Sequence, residues 1–235
     1  LDNPFNSSTV AYFHKSSGGY HAAKMARYQD LIDFYIQKEI NMLQTPQNTK
    51  VLNMLNTKYY LYQGNLVLDN QFANGSAWFV NNVKVVNDAN EEILAIEEID
   101  PKETAIVNKE YSTMVSDSYE SKEGSIIMND YKPNHLVYTS KSNSDQLAVF
   151  SEVFYHDDWV AYIDGKEVPH LRVNYILRSL PIPSGEHKIE FKFEPKMMAI
   201  GDTISISVFV LILLVLGFSI FQEMKSNKEI ETQEA

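Results

Sequence analysis

The sequence predicts an α+β protein made of an N-terminal helical and mixed α/β segment, an antiparallel β-sandwich and one C-terminal transmembrane helix. Three observations lead to this prediction. Near the N-terminus apolar residues recur at steps of three and four, whereas after about residue 124 they alternate with polar residues. Residues 203–221 then form a run of 19 residues without a charge, which is about the length that a bilayer requires.

Residues 1–56 are predicted to form a loop followed by amphipathic helices. Residues 1–23 are rich in Ser, Gly and Asn and contain a Gly-Gly pair, which favours a loop. From His21 to about residue 43 apolar residues recur with helical spacing, and this helix stops before Pro46. A second, short helix is predicted at 49–55.

Residues 57–123 are predicted to form a small mixed α/β region. Ten acidic residues and three lysines lie between residues 91 and 123. Because surface helices and loops expose their charges to water, we interpret this stretch as a solvated face rather than a cation site. The predicted elements are strands at 58–63, 78–86 and 104–107 and an acidic helix at 89–99, which begins at an Asn/Asp cluster and ends at Asp100-Pro101.

Residues 124–195 are predicted to form the antiparallel β-sandwich. Short runs of alternating polarity are separated by turn residues, which is typical of two-sheet β-proteins. Asp164-Gly165 predicts a two-residue hairpin, and residues 183–186 are expected to close the next pair of strands. The seven predicted strands are 125–131, 135–141, 146–155, 159–163, 167–173, 175–180 and 187–193.

The uncharged run at 203–221 predicts a transmembrane helix, followed by a polar tail at 222–235. A buried helix of a soluble domain would show polar residues at helical spacing, whereas here only three serines interrupt the run. Basic residues in short tails influence membrane orientation, and this tail contains Lys225 and Lys228. We therefore expect the tail in the cytoplasm and the sandwich outside it.

The composition argues against several kinds of partner and site. The formal net charge of -11 argues against nucleic acid and anionic lipid, because both are bound through an excess of Lys and Arg. The absence of cysteine excludes disulfides and thiolate metal sites. The chain begins with Leu and shows no signal peptide, so we expect it to be the C-terminal piece of a longer protein. We also expect no cofactor and no metal.

The stretch YFHKSSGGYHAAKMARYQDL, residues 12–31, concentrates cationic side chains around the Gly-Gly bend. A helix N-terminus near its middle would add backbone N–H groups to an anion site. In the alternative interpretation the glycines shape a turn, the tyrosines pack and the cations coat the helix, since no phosphate-loop motif is present. The candidate phosphate or acceptor contacts are His14, Lys15, His21, Lys24 and Arg27.

Three aromatic residues of the predicted sandwich are candidates for stacking against a sugar: Tyr155, Trp159 and Tyr162. Core packing is the alternative role for all three. The neighbouring His-Asp-Asp tripeptide is interpreted as a turn, because three consecutive side chains do not converge on one metal ion. The sequence contains no nucleophile-elbow, zinc-binding or paired-carboxylate motif, so no catalytic residue is assigned.

Four segments occur in a characteristic order: YFHKSSGGYHAAKMARYQDLID, VLNMLNTKYYL, AWFVNNVKVV and FSEVFYHDDWVAYIDGKEVPHLRVNYILRSLPIPSGEHKIEFKFEP. Together they resemble the C-terminal portion of the YfhO family of bacterial multi-spanning membrane proteins, in the form found in Bacteroidota-like bacteria. The resemblance covers almost the whole chain. It implies a relation to C-type (GT-C) membrane glycosyltransferases, which transfer a sugar from a polyprenyl-phosphate donor to cell-envelope polymers outside the cytoplasm.

The resemblance also implies a location and a set of partners. In such proteins a bundle of transmembrane helices comes first and the acidic catalytic residue lies in an early external loop, so no catalytic residue carries over to this chain. The implied location is the bacterial inner membrane. The implied partners are the lipid bilayer, the upstream transmembrane helices of the same protein, a polyprenyl-phosphate sugar and an envelope glycan, but no nucleic acid.

Three functions are compatible with the sequence. In the first, the chain supports sugar transfer by capping the helix bundle, placing the acceptor and contacting the donor phosphate. In the second, it is a non-catalytic, membrane-tethered β-sandwich that binds glycan or a partner protein. In the third, it braces the helix bundle. Upstream membrane spans with an acidic residue in the first external loop would favour the first function, and a signal peptide directly before Leu1 would favour the second.

Overall fold

The computed structural model describes residues 4–42, 48–62, 66–119, 124–155 and 158–233. Its contacts divide the chain into two units. The first unit consists of Leu1–His156 and Val160–Phe193 and contains short helices and β-sheets, while the second consists of Asp157–Trp159 and Glu194–Ala235 and contains one long helix. This architecture confirms the predicted α+β fold class.

The helices of the first unit are short. A π-helical turn, Ile32–Ile36, joins the second of them to the third, so residues 26–40 form one continuous helical stretch. The stretch begins later than the predicted start at His21, and the predicted end at Leu43 lies outside the described residues. The described α-helices of this unit are α1 (Thr9–Phe13), α2 (Ala26–Leu31), α3 (Gln37–Ile40), α4 (Lys50–Met54) and α5 (Ala89–Ala95), and a 3₁₀-helix spans Lys109–Met114.

The start of α5 follows from its sequence. The Asp88 carboxylate accepts hydrogen bonds from the backbone N–H groups of Asn90 and Glu91, at 2.8 and 2.9 Å. The Glu91 carboxylate reaches back to the backbone N–H of Asn87, at 2.8 Å. These bonds satisfy backbone donors that the first turn of a helix leaves free, which explains why the Asn/Asp cluster marks the helix start.

Thirteen strands occur within the described part of the chain. Predicted strand 78–86 is two strands separated at Asn81, and predicted strand 167–173 is also two, separated at Pro169 and His170. The strands are β1 (Tyr59–Tyr62), β2 (Leu66–Asp69), β3 (Ala77–Val80), β4 (Asn82–Val86), β5 (Thr104–Asn108), β6 (Gly124–Lys132), β7 (His135–Ser142), β8 (Gln146–Val153), β9 (Trp159–Ile163), β10 (Lys166–Val168), β11 (Leu171–Val173), β12 (Leu177–Ile182) and β13 (Gly185–Phe193).

These strands form two large sheets and one separate pair. The five-stranded sheet has the order β10-β9-β13-β7-β6, the six-stranded sheet has the order β3-β8-β12-β11-β5-β4, and β1 pairs with β2. The β4–β5 pair is parallel, while β8 pairs antiparallel with both β3 and β12. The six-stranded sheet therefore takes strands from both sides of residue 124.

The six-stranded sheet packs on both of its faces. On one face, the Phe150 ring lies 4.9 Å from the ring of Tyr138 and 4.8 Å from that of Phe191, both in the five-stranded sheet. On the other face, Leu147 and Val149 belong to a buried cluster that includes apolar side chains of the helices. The first unit thus has three layers, namely helices, the six-stranded sheet and the five-stranded sheet.

The two turns singled out in the sequence differ in what they connect. Asp164 and Gly165 have φ values of 50° and 79° and join β9 to β10 with Ile163 opposite Lys166, which confirms the predicted hairpin. The turn at residues 183–186 was expected to close a strand pair, and this expectation is wrong. It leads from β12 in the six-stranded sheet to β13 in the five-stranded sheet. A local turn signal marks a chain reversal but does not specify the pairing partner.

The second unit contains α6, Lys196–Gln233. Within the described residues one helix is long and apolar enough to cross a membrane, Ile200–Gln222, with a mean hydropathy of 2.9. The predicted span at 203–221 lies inside it. Two serine hydroxyls in this helix bond to its own backbone: Ser207 donates to the Thr203 carbonyl and Ser219 to the Val215 carbonyl.

Candidate functional site in the N-terminal segment

An open pocket of about 490 Å³ lies between the N-terminal loop and the helical stretch of residues 26–40. Two of the five predicted phosphate contacts, His21 and Lys24, line it, and none of its lining residues in the described part of the chain is Asp or Glu. The pocket therefore combines polar groups and one ammonium group with apolar side chains. The lining residues are Phe5, Asn6, Tyr20, His21, Ala22, Lys24, Ala26, Gln29, Ile32 and Gln37.

The Gly-Gly bend brings the two sides of the loop together. The backbone N–H of Gly19 donates to the Pro4 carbonyl at 2.8 Å, and Gly19 has a φ of 120°. A Cβ atom on Gly18 would lie 2.7 Å from the Pro4 carbonyl oxygen, which is closer than atoms approach. Glycine is therefore required at the bend by both conformation and space. The bend holds Phe5, which is buried, at one wall of the pocket.

The polar groups of the pocket include a charged ammonium group and neutral groups that form hydrogen bonds. The Lys24 ammonium lies 5.2 Å from the centre of the Phe5 ring, within the range of a cation–π contact. The His21 Nδ1 accepts a hydrogen bond from the Ala23 backbone N–H at 3.2 Å, so in a neutral ring Nε2 carries the proton and acts as donor. The Gln29 amide donates to Asp33. The pocket therefore suits a ligand that has an anionic group and hydroxyls.

Arg27 belongs to a different environment from Lys24. Its guanidinium donates to the Glu92 carboxylate and to the Tyr175 carbonyl, each at 3.1 Å, and lies 4.4 Å from the Tyr175 ring centre. The Glu92 carboxylate is fully buried and also accepts the Tyr175 backbone N–H at 2.9 Å. Arg172 approaches the same carboxylate at 3.9 Å. Arg27 thus joins α2, α5 and the segment before β12.

Burial raises the pKa of Glu92, while the charges of Arg172 and Arg27 oppose this shift. Glu92 was expected on a solvated acidic face, and this expectation is wrong, because the side chain is buried. One local feature of the sequence does indicate that Glu92 lies on the buried side of its helix. Glu92 directly precedes Ile93 and lies four residues before Ile96, both of which are also buried.

The remaining predicted cations lie outside the pocket. The Lys15 ammonium lies 3.3 Å above the centre of the Tyr131 ring in β6. His14 follows α1 and is exposed. The structure therefore brings His21 and Lys24 together in one pocket, and it places Lys15, His14 and Arg27 elsewhere.

A second polar cluster, which sequence analysis missed, lies near Lys15. Burial raises the pKa of Glu152, and the charges of Arg178 and Lys15 partly offset this effect. Arg178 is itself buried, and burial lowers its pKa to about 10. Its Nε donates to the Val153 carbonyl at 3.0 Å. Because the partners come from separate strands and the N-terminal loop, no local sequence pattern marks them.

The three candidate stacking residues have different surroundings. The Tyr155 side chain is 45% exposed. The Tyr162 ring is half-buried, and the Lys192 ammonium lies 4.6 Å from its centre. Trp159 is half-buried at the start of β9. Their role in sugar binding stays a prediction, as does the phosphate role of the five cationic residues.

Comparison with known proteins gives one informative match. A family profile described as "Bacterial membrane protein YfhO" matches residues 70–205, which is more than half of the 235-residue chain. The matched range runs from just before β3 into α6, so the pocket residues precede it. No curated protein and no solved structure matches the chain.

Proposed function

Because the chain belongs to the YfhO family of bacterial membrane proteins, we propose that it forms the extracytoplasmic C-terminal domain and last membrane helix of such a protein. In this role it supports transfer of a sugar from a polyprenyl-phosphate donor to a cell-envelope glycan or polymer. The apolar helix Ile200–Gln222 supports the membrane anchoring. No residue of this chain is proposed to be catalytic.

The main observation that supports the proposal is the pocket beside α2. In a chain with a net charge of -11, the lining residues that the structure describes for this pocket include Lys24 and His21 but no Asp or Glu. The ammonium group would pair with a phosphate, the amide and imidazole groups would bond sugar hydroxyls, and the exposed Tyr20 ring offers a stacking surface. A phosphorylated sugar headgroup combines these features in one ligand.

The proposal is tested by measuring the binding of a short-chain prenyl-phosphate sugar to the 235-residue chain in detergent micelles. A charge-assisted hydrogen bond contributes about 1.5–3 kcal/mol, so Lys24→Ala should weaken binding by roughly tenfold or more. Lys38→Ala is the matched control, because Lys38 is exposed on α3 and does not line the pocket. Equal affinities of the two variants, or no binding by the unaltered chain, would refute the pocket assignment.

The orientation is tested with single cysteines, since the chain contains none. In intact cells a cysteine at position 166, which is exposed in β10, should react with an impermeant thiol reagent. A cysteine at position 226 in the tail should be shielded. The reverse pattern would place the domain in the cytoplasm.

A second candidate function is a non-catalytic, membrane-tethered module that binds glycan through the sandwich. The exposure of the Tyr155 ring favours it, since an accessible aromatic face can stack on a sugar. In this case Tyr155→Ala should abolish the retention of envelope glycan on the immobilised chain, while Lys24→Ala should not affect it.

A further inference from the structure

The short helix α1 presents aromatic side chains to solvent. None of its five residues is buried, and the side chains of Tyr12 and Phe13 are 82% and 71% exposed. Tyr20, in the loop that follows, is exposed as well. Exposing this much apolar surface to water is unfavourable, and grouped exposed apolar side chains typically mark a contact surface.

The same segment differs in charge from the rest of the chain. Residues 4–29 contain three basic residues and two histidines but no Asp or Glu, although the whole chain carries a net charge of -11. Glu92 engages Arg27. The Lys15 ammonium lies over the Tyr131 ring, but the Lys15 and His14 side chains, which follow α1 directly, are both exposed to solvent. The aromatic surface is thus accompanied by positive charge.

We propose that α1 and the loop after it dock on the anionic phospholipid surface of the bilayer in which the chain is anchored. The Tyr12 and Phe13 rings enter the boundary between headgroups and acyl chains, while Lys15 and His14 lie at the level of the lipid phosphates. Local charge complementarity selects this partner, despite the acidic composition of the chain as a whole. The inference goes beyond the proposed function and depends on the membrane anchor, not on the pocket.

A second apolar surface begins next to this loop. The Ser17 and Thr57 hydroxyls are hydrogen-bonded at 3.1 Å, and Thr57 lies two residues before β1. In the β1–β2 pair, Leu61 lies opposite Val67, and both side chains are exposed. The hairpin therefore presents a second exposed apolar surface, in addition to the one on α1.

The experiment uses the full chain, reconstituted through its apolar helix into vesicles. A fluorophore sensitive to polarity is attached to a single cysteine in the variant Phe13→Cys. The matched control is Leu94→Cys, since the Leu94 side chain is 58% exposed on α5 but belongs to the acidic stretch. Vesicles contain either phosphatidylglycerol or phosphatidylcholine alone, each with a doxyl-labelled lipid as the quencher.

In phosphatidylglycerol vesicles the label at position 13 should show blue-shifted emission and quenching by the doxyl lipid, and the label at position 94 should show neither. Both effects should be lost in neutral vesicles and at high salt, because salt screens the attraction. Adding Tyr12→Ser should reduce the quenching at position 13. This substitution should leave the fold intact, since Tyr12 contributes nothing to the core.

Three results would overturn the proposal. The label at position 13 could be quenched no more than the label at position 94. It could be quenched equally in neutral and anionic vesicles, which would remove the electrostatic basis of the contact. It could also be shielded both from doxyl lipid and from aqueous iodide, which would show that protein covers the surface, either a second copy or another segment. The two proposals can fail independently. If Lys24→Ala does not affect ligand binding, the pocket assignment is refuted, but the results expected in the vesicle experiment stay the same.

Discussion

Lys24 and Arg27 are three residues apart, yet they have different partners and different roles. Lys24 lines the open pocket, whereas Arg27 donates to a carboxylate that water does not reach. Both residues are basic and both follow the Gly-Gly bend, so sequence analysis placed them in one site. The partner of Arg27 is 65 residues away, and contacts over such distances depend on the tertiary fold.

The two roles predict effects on stability of different size. Arg27→Ala leaves the buried Glu92 without its closest charged partner, so it should lower the free energy of unfolding by about 2 kcal/mol. Lys24→Ala should change it by less than about 0.5 kcal/mol. Chemical denaturation of the full chain in detergent, followed by tryptophan fluorescence, measures both values. Similar small losses for the two variants would show that the Arg27–Glu92 bond is not important for stability.

Glu39 predicts how stability depends on pH. Its carboxylate accepts the backbone N–H groups of Val51 and Leu52, both at 2.8 Å, at the start of α4. Burial raises its pKa to about 7, against the opposing effect of these bonds. Because the folded-state pKa lies above that of an unfolded glutamate, the stabilising contribution is complete at low pH and is lost as the pH rises through about 7.

The free energy of unfolding should therefore fall between about pH 4.5 and about pH 7, and Glu39→Gln should reduce this fall. Denaturation curves across that range test the prediction. Glu97→Gln is the control, because Glu97 is an exposed glutamate near the end of α5. Identical pH profiles for the unaltered chain and Glu39→Gln would contradict the assigned pKa shift.

At the scale of single elements, the hairpin between β9 and β10 yields a prediction about strain. Gly165 has a φ of 79°, and a Cβ atom there would meet no other atom within 4 Å. Gly165→Ala should therefore destabilise the chain through backbone conformation alone, by about 1–2 kcal/mol. Lys166→Ala, one position further along, is the control and should have little effect. A neutral Gly165→Ala variant would show that the turn relaxes to another conformation.

The sequence predicted elements well where their signals are local. The run at 159–163 coincides with β9, and the Asp88 cap marks the start of α5, because alternation and capping depend on residues only a few positions apart. The sheet partners were not predictable in this way. β12 and β13 follow each other closely but pair in different sheets, because pairing depends on the packing of distant strands.

The candidate site, like the sheets, was predictable only in its local features. The glycines, the cations and the aromatic residues of the N-terminal segment were visible in the sequence as an unusual concentration. The sequence did not show that these cations divide between the pocket, the Glu92 network and the Tyr131 ring, because this division depends on partners in α5 and β6.

At the scale of the whole molecule, the mixed origin of the six-stranded sheet predicts which fragments fold. A fragment of residues 124–195 lacks β3, β4 and β5 and would expose the face that contains Leu147 and Val149. It should therefore fail to unfold cooperatively, whereas the chain ending at Pro195 should stay folded in solution without detergent. Circular dichroism during urea denaturation distinguishes the two. A cooperative transition in the short fragment would show that the second half folds independently.

The six-stranded sheet also has a consequence for biosynthesis. β5 ends at Asn108 and its neighbour β11 begins at Leu171, so the parallel β4–β5 pair leaves the ribosome well before its partner. At about 5–20 residues per second, that interval lasts roughly 3–13 seconds. During this time the edge of β5 that later pairs with β11 is an open template for pairing with other chains. Until translation has supplied β11, we therefore expect this edge to be a site of aggregation risk.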